Sequence, residues 1–209
     1  MTYNERIASQ FLYKGRKIRG STHLQPEARK RRDRVKRRVS NAVRKSVLSS
    51  GAKKVLDVGT GFGSNVRVLA REFMGKGKIW SIDPSAGVLR EIGCMLRAEG
   101  LLKDVKLVRA KAEDMPFDDG FFNLVTSVML VHHLANPRKG LQEMVRVLEH
   151  GGKLVLADWR PAASEVIPHR AEDFADPERI RKILTQLGIS VRSRNYRYWY
   201  LIQGIKTPK

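Results

Sequence analysis

The sequence has a single cysteine, Cys94. One thiol forms neither an internal disulfide nor a multi-thiolate metal site, which sets aside a disulfide-stapled secreted fold and a zinc–cysteine fold together. No apolar run approaches the ~18 residues that mark a membrane-crossing helix. The opening residues, MTYNERIASQ, lack the apolar segment of a secretion signal. These absences point to the cytoplasm. Acidic residues are scarce as well: 21 Asp and Glu stand against 41 Lys and Arg, a formal charge of +20. A field of that sign draws polyanions or anionic substrates. Heat adaptation also fits the low content of Asn and Gln, but on its own it raises both signs of charge together. Apolar residues make up 42% of the 209 positions, enough for one packed domain and too many for a disordered chain.

The basic excess is local. Residues 1–54 hold 17 Lys and Arg against Glu5, Glu27 and Asp33, while the rest of the chain is nearly balanced. The composition therefore divides the chain into a basic, largely helical extension, 1–50, and a domain, 51–209. Pro26 and Glu27 read as a helix start, with proline in the first turn and an acid at the positive end of the dipole. Val35, Val39, Val43 and Val47 follow at four-residue spacing, with Ala42 beside them, and Ser49-Ser50-Gly51 ends the run. That is one apolar stripe on a helix whose other faces carry Arg and Lys. The stripe docks the helix on the domain. Its outer face is either simply solvated or holds phosphates. A membrane-surface helix is disfavoured, because the stripe lacks Trp, Phe and abundant Leu.

From residue 53 onward strand-like and helix-like runs alternate: strands at 53–58, 78–82, 105–109, 122–127 and 153–157, and helices at 64–73, 86–99, 136–148 and 177–187. Such alternation predicts an α/β fold with a doubly wound, mostly parallel sheet. Residues 190–196 and 200–205 leave no room for a helix between them, so they predict a C-terminal hairpin containing one antiparallel strand.

The first strand runs into Val55-Leu56-Asp57-Val58-Gly59-Thr60-Gly61-Phe62-Gly63. Glycines at such a turn let the backbone bend sharply and let a ligand approach main-chain N–H groups, with the following helix favouring a negative group. The G-x-G-x-G spacing departs from the dinucleotide fingerprint, whose last glycine or alanine falls on Ser64. A phosphate-binding P-loop is excluded, because no Gly-Lys-Ser/Thr follows. Asp83 ends the second strand, where an acid can accept both hydroxyls of a ribose. Its alternative role is a helix cap.

In order, VLDVGTGFG, SIDPS, AEDMPFDDGFF, SVMLVHHL and VRVLEHGGKLVLADW resemble a class I S-adenosylmethionine-dependent methyltransferase of the type-11 group, which includes the ubiquinone and menaquinone biosynthesis methyltransferases. The resemblance spans about half the chain, from Val55 to Trp159. It implies a Rossmann-like methyltransferase sheet and S-adenosylmethionine as cofactor. Gly59, Thr60, Gly61 and Gly63 then form the cofactor loop, with Asp57 orienting that loop and the cofactor's amino group. Asp83, beside Pro84, binds the ribose; Ala112 and Glu113 lie along the adenine edge; Ser127 borders the sulfonium. Two positions depart from the pattern. The position before Ala112, often an aspartate that accepts from adenine, is Lys111, which has no acceptor, so Glu113, Asp114 or packing takes that role. Phe122-Asn123 replaces the usual Phe-Asp.

Methyl transfer from a sulfonium needs alignment, a dry site and sometimes a base. His132 and His133 follow the fourth strand and are the candidate bases; the alternative is that one caps a helix and the other packs. No Asn/Asp-Pro-Pro-Tyr segment and no Pro-Cys occur, which disfavours adenine N-methylation and cytosine C5-methylation by those routes. No zinc spacing is present, so no metal is expected. Arg192, Arg194 and Arg197 interleave with Tyr196, Tyr198, Trp199 and Tyr200, a pattern that either stacks on nucleobases or buries against the sheet. The leading expectation is methyl transfer to a small, anionic acceptor. The alternatives are an RNA or ribosome-associated protein acceptor held by the basic helix, and a non-catalytic basic RNA-binding protein on the same fold.

Overall fold

The computed structural model describes residues 12–13, 16–17, 25–48 and 50–208. The opening segment read for a secretion signal, and Ser49 of the expected helix end, lie outside the described residues. Two short strands, β1 (Leu12–Tyr13) and β2 (Arg16–Lys17), pair antiparallel. The helix α1 then runs Pro26–Leu48. Its stripe is realised as expected: Val35, Val39, Val43 and Val47 are all buried, in one cluster with Val66, Leu69 and Ile92 of the domain. The compositional boundary near residue 50 is thus a change in surface chemistry across a continuous core.

A seven-stranded sheet follows: β3 (Lys54–Val58), β4 (Lys78–Asp83), β5 (Val105–Arg109), β6 (Phe122–Val128), β7 (Leu148–Trp159), β8 (Ile189–Asn195) and β9 (Trp199–Lys206). Their spatial order is β5-β4-β3-β6-β7-β9-β8. The contacts β4–β5, β3–β4, β3–β6 and β6–β7 are parallel, and β9 runs antiparallel to both neighbours. Helices α2 (Ser64–Glu72) and α3 (Ala86–Ala98) share one core cluster with α1, while α4 (Pro137–Arg146) and α5 (Pro177–Gln186) share the other. Alternation along β3 sends Val55 to the first cluster and Leu56 and Val58 to the second. This is the doubly wound α/β architecture, helices on both faces of a mostly parallel sheet.

The β1–β2 pair was not expected in the extension, and one helix of the domain also differs from expectation. The helix expected to reach 148 stops at Arg146, and β7 begins at Leu148, before the glycine pair. Leu148 is buried and pairs with Phe122, and a register shift between Phe122 and Leu124 absorbs the extra residues. Gly152 sits so close to Leu148 that a Cβ there would lie 2.7 Å from Leu148 Cδ1, so the glycines serve a bulge in the strand. Among the described residues no helix is long and apolar enough to cross a membrane.

Candidate functional site

The parallel strands β3, β4, β6 and β7 deliver their carboxyl ends to one edge, where open α/β sheets bind ligands. The glycine turn lies there. Gly59, Gly61 and Gly63 have φ of 89°, 49° and 75°, in the left-handed region where a side chain is strained. The N–H groups of Gly59 and Thr60 both donate to the Ile82 carbonyl, at 3.0 and 2.9 Å, lashing the turn to the end of β4. The third glycine serves packing: a Cβ on Gly63 would meet Ile92 Cδ1 at 2.8 Å, so it brings α2 against α3.

Asp83 sits at the tip of β4, buried, and receives the Gly61 N–H on Oδ2 at 3.1 Å and the Ser85 N–H on Oδ1 at 2.9 Å. Burial pushes its carboxyl above the usual carboxylate range, and the two N–H groups pull it back. Each carboxylate oxygen has two lone pairs, so both retain capacity for a further donor. Asp57 is enclosed completely. Its oxygens accept from Asn65 Nδ2 at 2.6 Å and Ser81 Oγ at 2.7 Å, and Ser81 also meets Thr60 Oγ1 at 2.7 Å. Thr126 Oγ1 accepts from Asn65 and donates to the Leu56 carbonyl. One buried polar network therefore joins β3, β4, β6 and the first turn of α2 beneath the turn. Burial raises the Asp57 carboxyl to about 6, against the opposing pull of Asn65 and Ser81.

Beyond β5, Ala112 is buried, and the Glu113 carboxylate accepts the Asn136 N–H at 3.4 Å. Lys111 and Asp114 pair across a tight turn and line a cavity of about 460 Å³ together with Pro84, Arg109, Ala110 and Pro116. At the end of β6, Ser127 is buried and its Oγ has no hydrogen-bond partner among the described residues. Two residues on, Met129 holds φ of 56°, the single positive φ of a non-glycine among the described residues. Backbone strain of this kind collects at functional sites.

His132 and His133 follow in a short 3₁₀ turn, Val131–His133. Asp158, at the tip of β7, accepts from the His132 main-chain N–H at 3.1 Å and meets His132 Nδ1 at 2.6 Å. It also accepts the Trp159 N–H at 2.7 Å. An acceptor-only carboxylate assigns the Nδ1 proton and leaves Nε2 as the other ring nitrogen. His169 joins from the loop after β7. The His132 and His133 ring centroids are 3.9 Å apart, and those of His132 and His169 are 5.3 Å apart. Burial, then the neighbouring rings of His132 and His169, hold His133 down to about 2. Burial, then His132, hold His169 down to about 4. A base so depressed is a poor proton acceptor near neutrality, which weakens His133 in that role.

Farther along the edge, the arginine face of α1 meets the C-terminal hairpin. Arg31, Arg34, Arg38, Tyr196, Arg197, Tyr198 and Trp199 line a cavity of about 320 Å³. Arg31 donates to Tyr198 Oη at 3.1 Å, Tyr196 stacks on Trp199 with centroids 4.1 Å apart, and Arg197 lies over the Tyr198 ring and pairs with Glu165. Among the described residues Arg34 and Arg38 have no acidic partner. Lys36 on the same helix lies 5.7 Å from the centroid of Phe62, in the glycine turn, so α1 borders that turn as well.

Residues 56–156 match the methyltransferase domain family. A ubiquinone/menaquinone biosynthesis C-methyltransferase of Idiomarina loihiensis is 28% identical over 153 residues, which cover 73% of this chain and 59% of that protein. The protein of that name in Neisseria meningitidis is 30% identical, with the same shares covered. The chain thus spans about three fifths of the length of these relatives. Among solved structures, an S-adenosylmethionine-dependent methyltransferase of Aquifex aeolicus superposes with a TM-score of 0.69 at 24% identity, covering 80% of this chain and 88% of that one.

Proposed function

Residues 56–156 are a class I methyltransferase domain of the type-11 group, and from that premise we propose that the chain transfers a methyl group from S-adenosylmethionine to a small anionic acceptor. The observation that carries the reading is the glycine turn pinned to Asp83 by the Gly61 N–H, which holds a carboxylate beside a bare stretch of backbone. The residues fit an adenosyl cofactor. Asp83 keeps lone pairs for two ribose hydroxyls, and Gly59 and Gly61 let the methionine part pass close to the chain. Asp114 and Lys111 line the cavity beside Pro84, whereas the Glu113 carboxylate meets the Asn136 N–H, so Asp114 is the acceptor we assign to the adenine edge. Ser127 Oγ, buried with no hydrogen-bond partner among the described residues, sits at the end of β6, which supports a role for it beside the sulfonium.

When bound, the cofactor supplies an activated methyl group. The chain's own part is to hold the acceptor in line, exclude water and take up charge. Val131 and His132 are buried after the end of β6, and Asp158 fixes the orientation of the His132 ring. The names of the relatives offer carbon as the methylated atom. The arginine-lined cavity favours an acceptor that carries carboxylate or phosphate, because guanidinium groups bind such groups through paired N–H donors. The stacked Tyr196 and Trp199 beside those arginines favour, as a second reading, an RNA acceptor.

The test is labelled-methyl transfer with fractionated small molecules and with RNA, comparing the parent with the Arg31→Gln, Arg34→Gln, Arg38→Gln triple variant. The small-acceptor reading expects label in the small-molecule fraction, a KM raised about tenfold or more in the variant, and unchanged S-adenosylhomocysteine affinity. Label in RNA, with a salt dependence that flattens in the variant, establishes the second reading instead. Absence of transfer to any fraction, with no binding of S-adenosylhomocysteine, overturns both.

A further inference from the structure

The histidines after β6 are more than a wall. His132, His133 and His169 each bring an imidazole nitrogen to one place, all three within 4.8 Å of one another. Three histidines from two separated loops do not converge by local geometry. His132 and His133 are consecutive, but His169 arrives from the middle of the connection that follows β7, beyond the 3₁₀ turn Pro161–Glu165. Phe174 packs against both His132 and His169, with centroids 5.5 and 5.8 Å away, and holds that loop over the strand ends.

We propose that His132, His133 and His169 form a binding site for one divalent transition metal ion of the zinc class, with Asp158 as the outer carboxylate that orients His132. Imidazole suits such ions, and three protein nitrogens leave one position for water or another oxygen. Nitrogens bound to one tetrahedral zinc lie about 3.4 Å apart, given bonds of roughly 2.0–2.1 Å. The observed nitrogens, within 4.8 Å of one another, are at most about 1.4 Å wider than that, the closure a bound ion would draw from the cluster. The Asp158–His132 contact is the feature that separates this cluster from a chance gathering of rings. Metal-bound histidines characteristically donate their second nitrogen to a carboxylate, which fixes the tautomer and aims the other nitrogen at the ion. Here the carboxylate is buried, is held by two main-chain N–H groups, and meets Nδ1 at 2.6 Å, leaving Nε2 for the metal. An acceptor hydroxyl or enol bound at the open position would be acidified by the ion and release its proton to water, so the step would need no protein base. That catalytic use rests on the proposed methyl transfer; binding of the ion does not.

The experiment uses the untagged full chain after chelation and dialysis. Co2+ is titrated with visible spectroscopy and Zn2+ by calorimetry, while S-adenosylhomocysteine is titrated separately with metal absent. One ion per chain is expected, with the intense visible bands of four- or five-coordinate Co2+ and three sets of hyperfine-shifted imidazole signals. His169→Ala and His133→Ala should each weaken Zn2+ at least about 100-fold, and Asp158→Asn about 10- to 100-fold. His150→Ala, remote from the cluster, should leave metal affinity unchanged. The imidazole count reads the ligand set in the parent, so it stands even where a variant folds poorly. The proposal is overturned by absence of saturable Zn2+ binding, by fewer than three shifted imidazoles, or by parental affinity in both His133→Ala and His169→Ala. Metal binding without S-adenosylhomocysteine binding refutes the methyl-transfer reading alone, and the converse refutes the metal site alone.

Discussion

Replacing Asp83 tests how the ligand loop is built. In the parent, its carboxylate accepts one N–H from the glycine turn and one from the cap of α3, and it has capacity for two ribose hydroxyls. Asp83→Ala deletes all of these. The two main-chain bonds are charge-assisted and worth about 1.5–3 kcal/mol each, but the buried carboxylate is also relieved of a desolvation cost, visible in its raised pKa. The net loss of stability should be about 2–4 kcal/mol, a fall of roughly 4–16 °C in Tm for a chain of this size. The ribose contacts add a separate loss of about 3 kcal/mol in binding, or about 150-fold in Kd. Asp83→Asn keeps one acceptor oxygen, so it should bind about tenfold weaker with a smaller change in Tm. Calorimetry with S-adenosylhomocysteine measures the first quantity and a thermal melt the second. A lowered Tm with affinity within twofold of the parent in both variants would show that Asp83 merely shapes the turn, and would refute its role at the ribose.

Lys111→Ala should leave S-adenosylhomocysteine affinity within about threefold, whereas Asp114→Ala should lower it about fivefold or more, the worth of one hydrogen bond; the reverse order by calorimetry refutes the adenine assignment. Gly59→Ala places a Cβ 3.0 Å from Leu130 Cδ1 at a φ of 89°, and should cost about 1–3 kcal/mol, read as a fall of roughly 2–10 °C in Tm. The buried Asp57 has its pKa raised to about 6 from 3.8, so across that window the folded chain keeps a proton the unfolded chain has lost. Stability contributed by Asp57 therefore falls as pH rises, and the parent-minus-variant difference for Asp57→Asn in urea titrations should grow less favourable by about 3 kcal/mol between pH 3.8 and 6. A flat difference sinks that account. His133 and His169 act in the opposite sense, losing stability as pH falls below 6.5, which is why the variant difference, and not the raw profile, is the observable.

What was legible in the sequence was local. Alternation gave the strands and helices of the sheet, and the missing helix between 196 and 200 gave the antiparallel β9. The valine stripe gave the docked face of α1 because its period is that of a helix. The glycine turn and Asp83 were readable because the loop and its acid sit at the ends of adjacent strands. Features assembled from several elements were not readable. The partners of Asp57 come from β4, α2 and β6, and no spacing links Asn65, Ser81 and Thr126. His169 lies in a loop without periodicity, so its approach to His132 and His133 has no sequence signal. Asp158 did have one, since it lies one residue from the end of its strand, close to the place Asp83 holds in β4. Met129 had none, because nothing in a methionine announces a positive φ.

On the proposed reading the acceptor lies between the histidines and the arginines, and the end of β7 is what joins the two groups. Three consecutive residues there reach in different directions. Asp158 holds the His132 ring and main chain. Trp159 pairs with Trp199 across the antiparallel junction. Arg160 donates its main-chain N–H to the Tyr198 carbonyl and its guanidinium to the Tyr196 carbonyl, fixing the aromatic wall of the cavity under Arg31 and Arg38. The glycine turn lies across β3 and β4 on the other side of β6. Along the sheet edge the order is therefore cofactor loop, histidines, then arginines. A methyl acceptor must present its nucleophile to the loop side while its charge is neutralised. On the proposed reading, an anionic acceptor reaching from the histidines to the arginines would separate its anionic group from its reactive atom by the width of about two strands, roughly 10 Å. The antiparallel β9 makes this spacing possible, since its reversal brings the Tyr196–Trp199 turn back to the ligand edge, where a parallel strand would have delivered its opposite end.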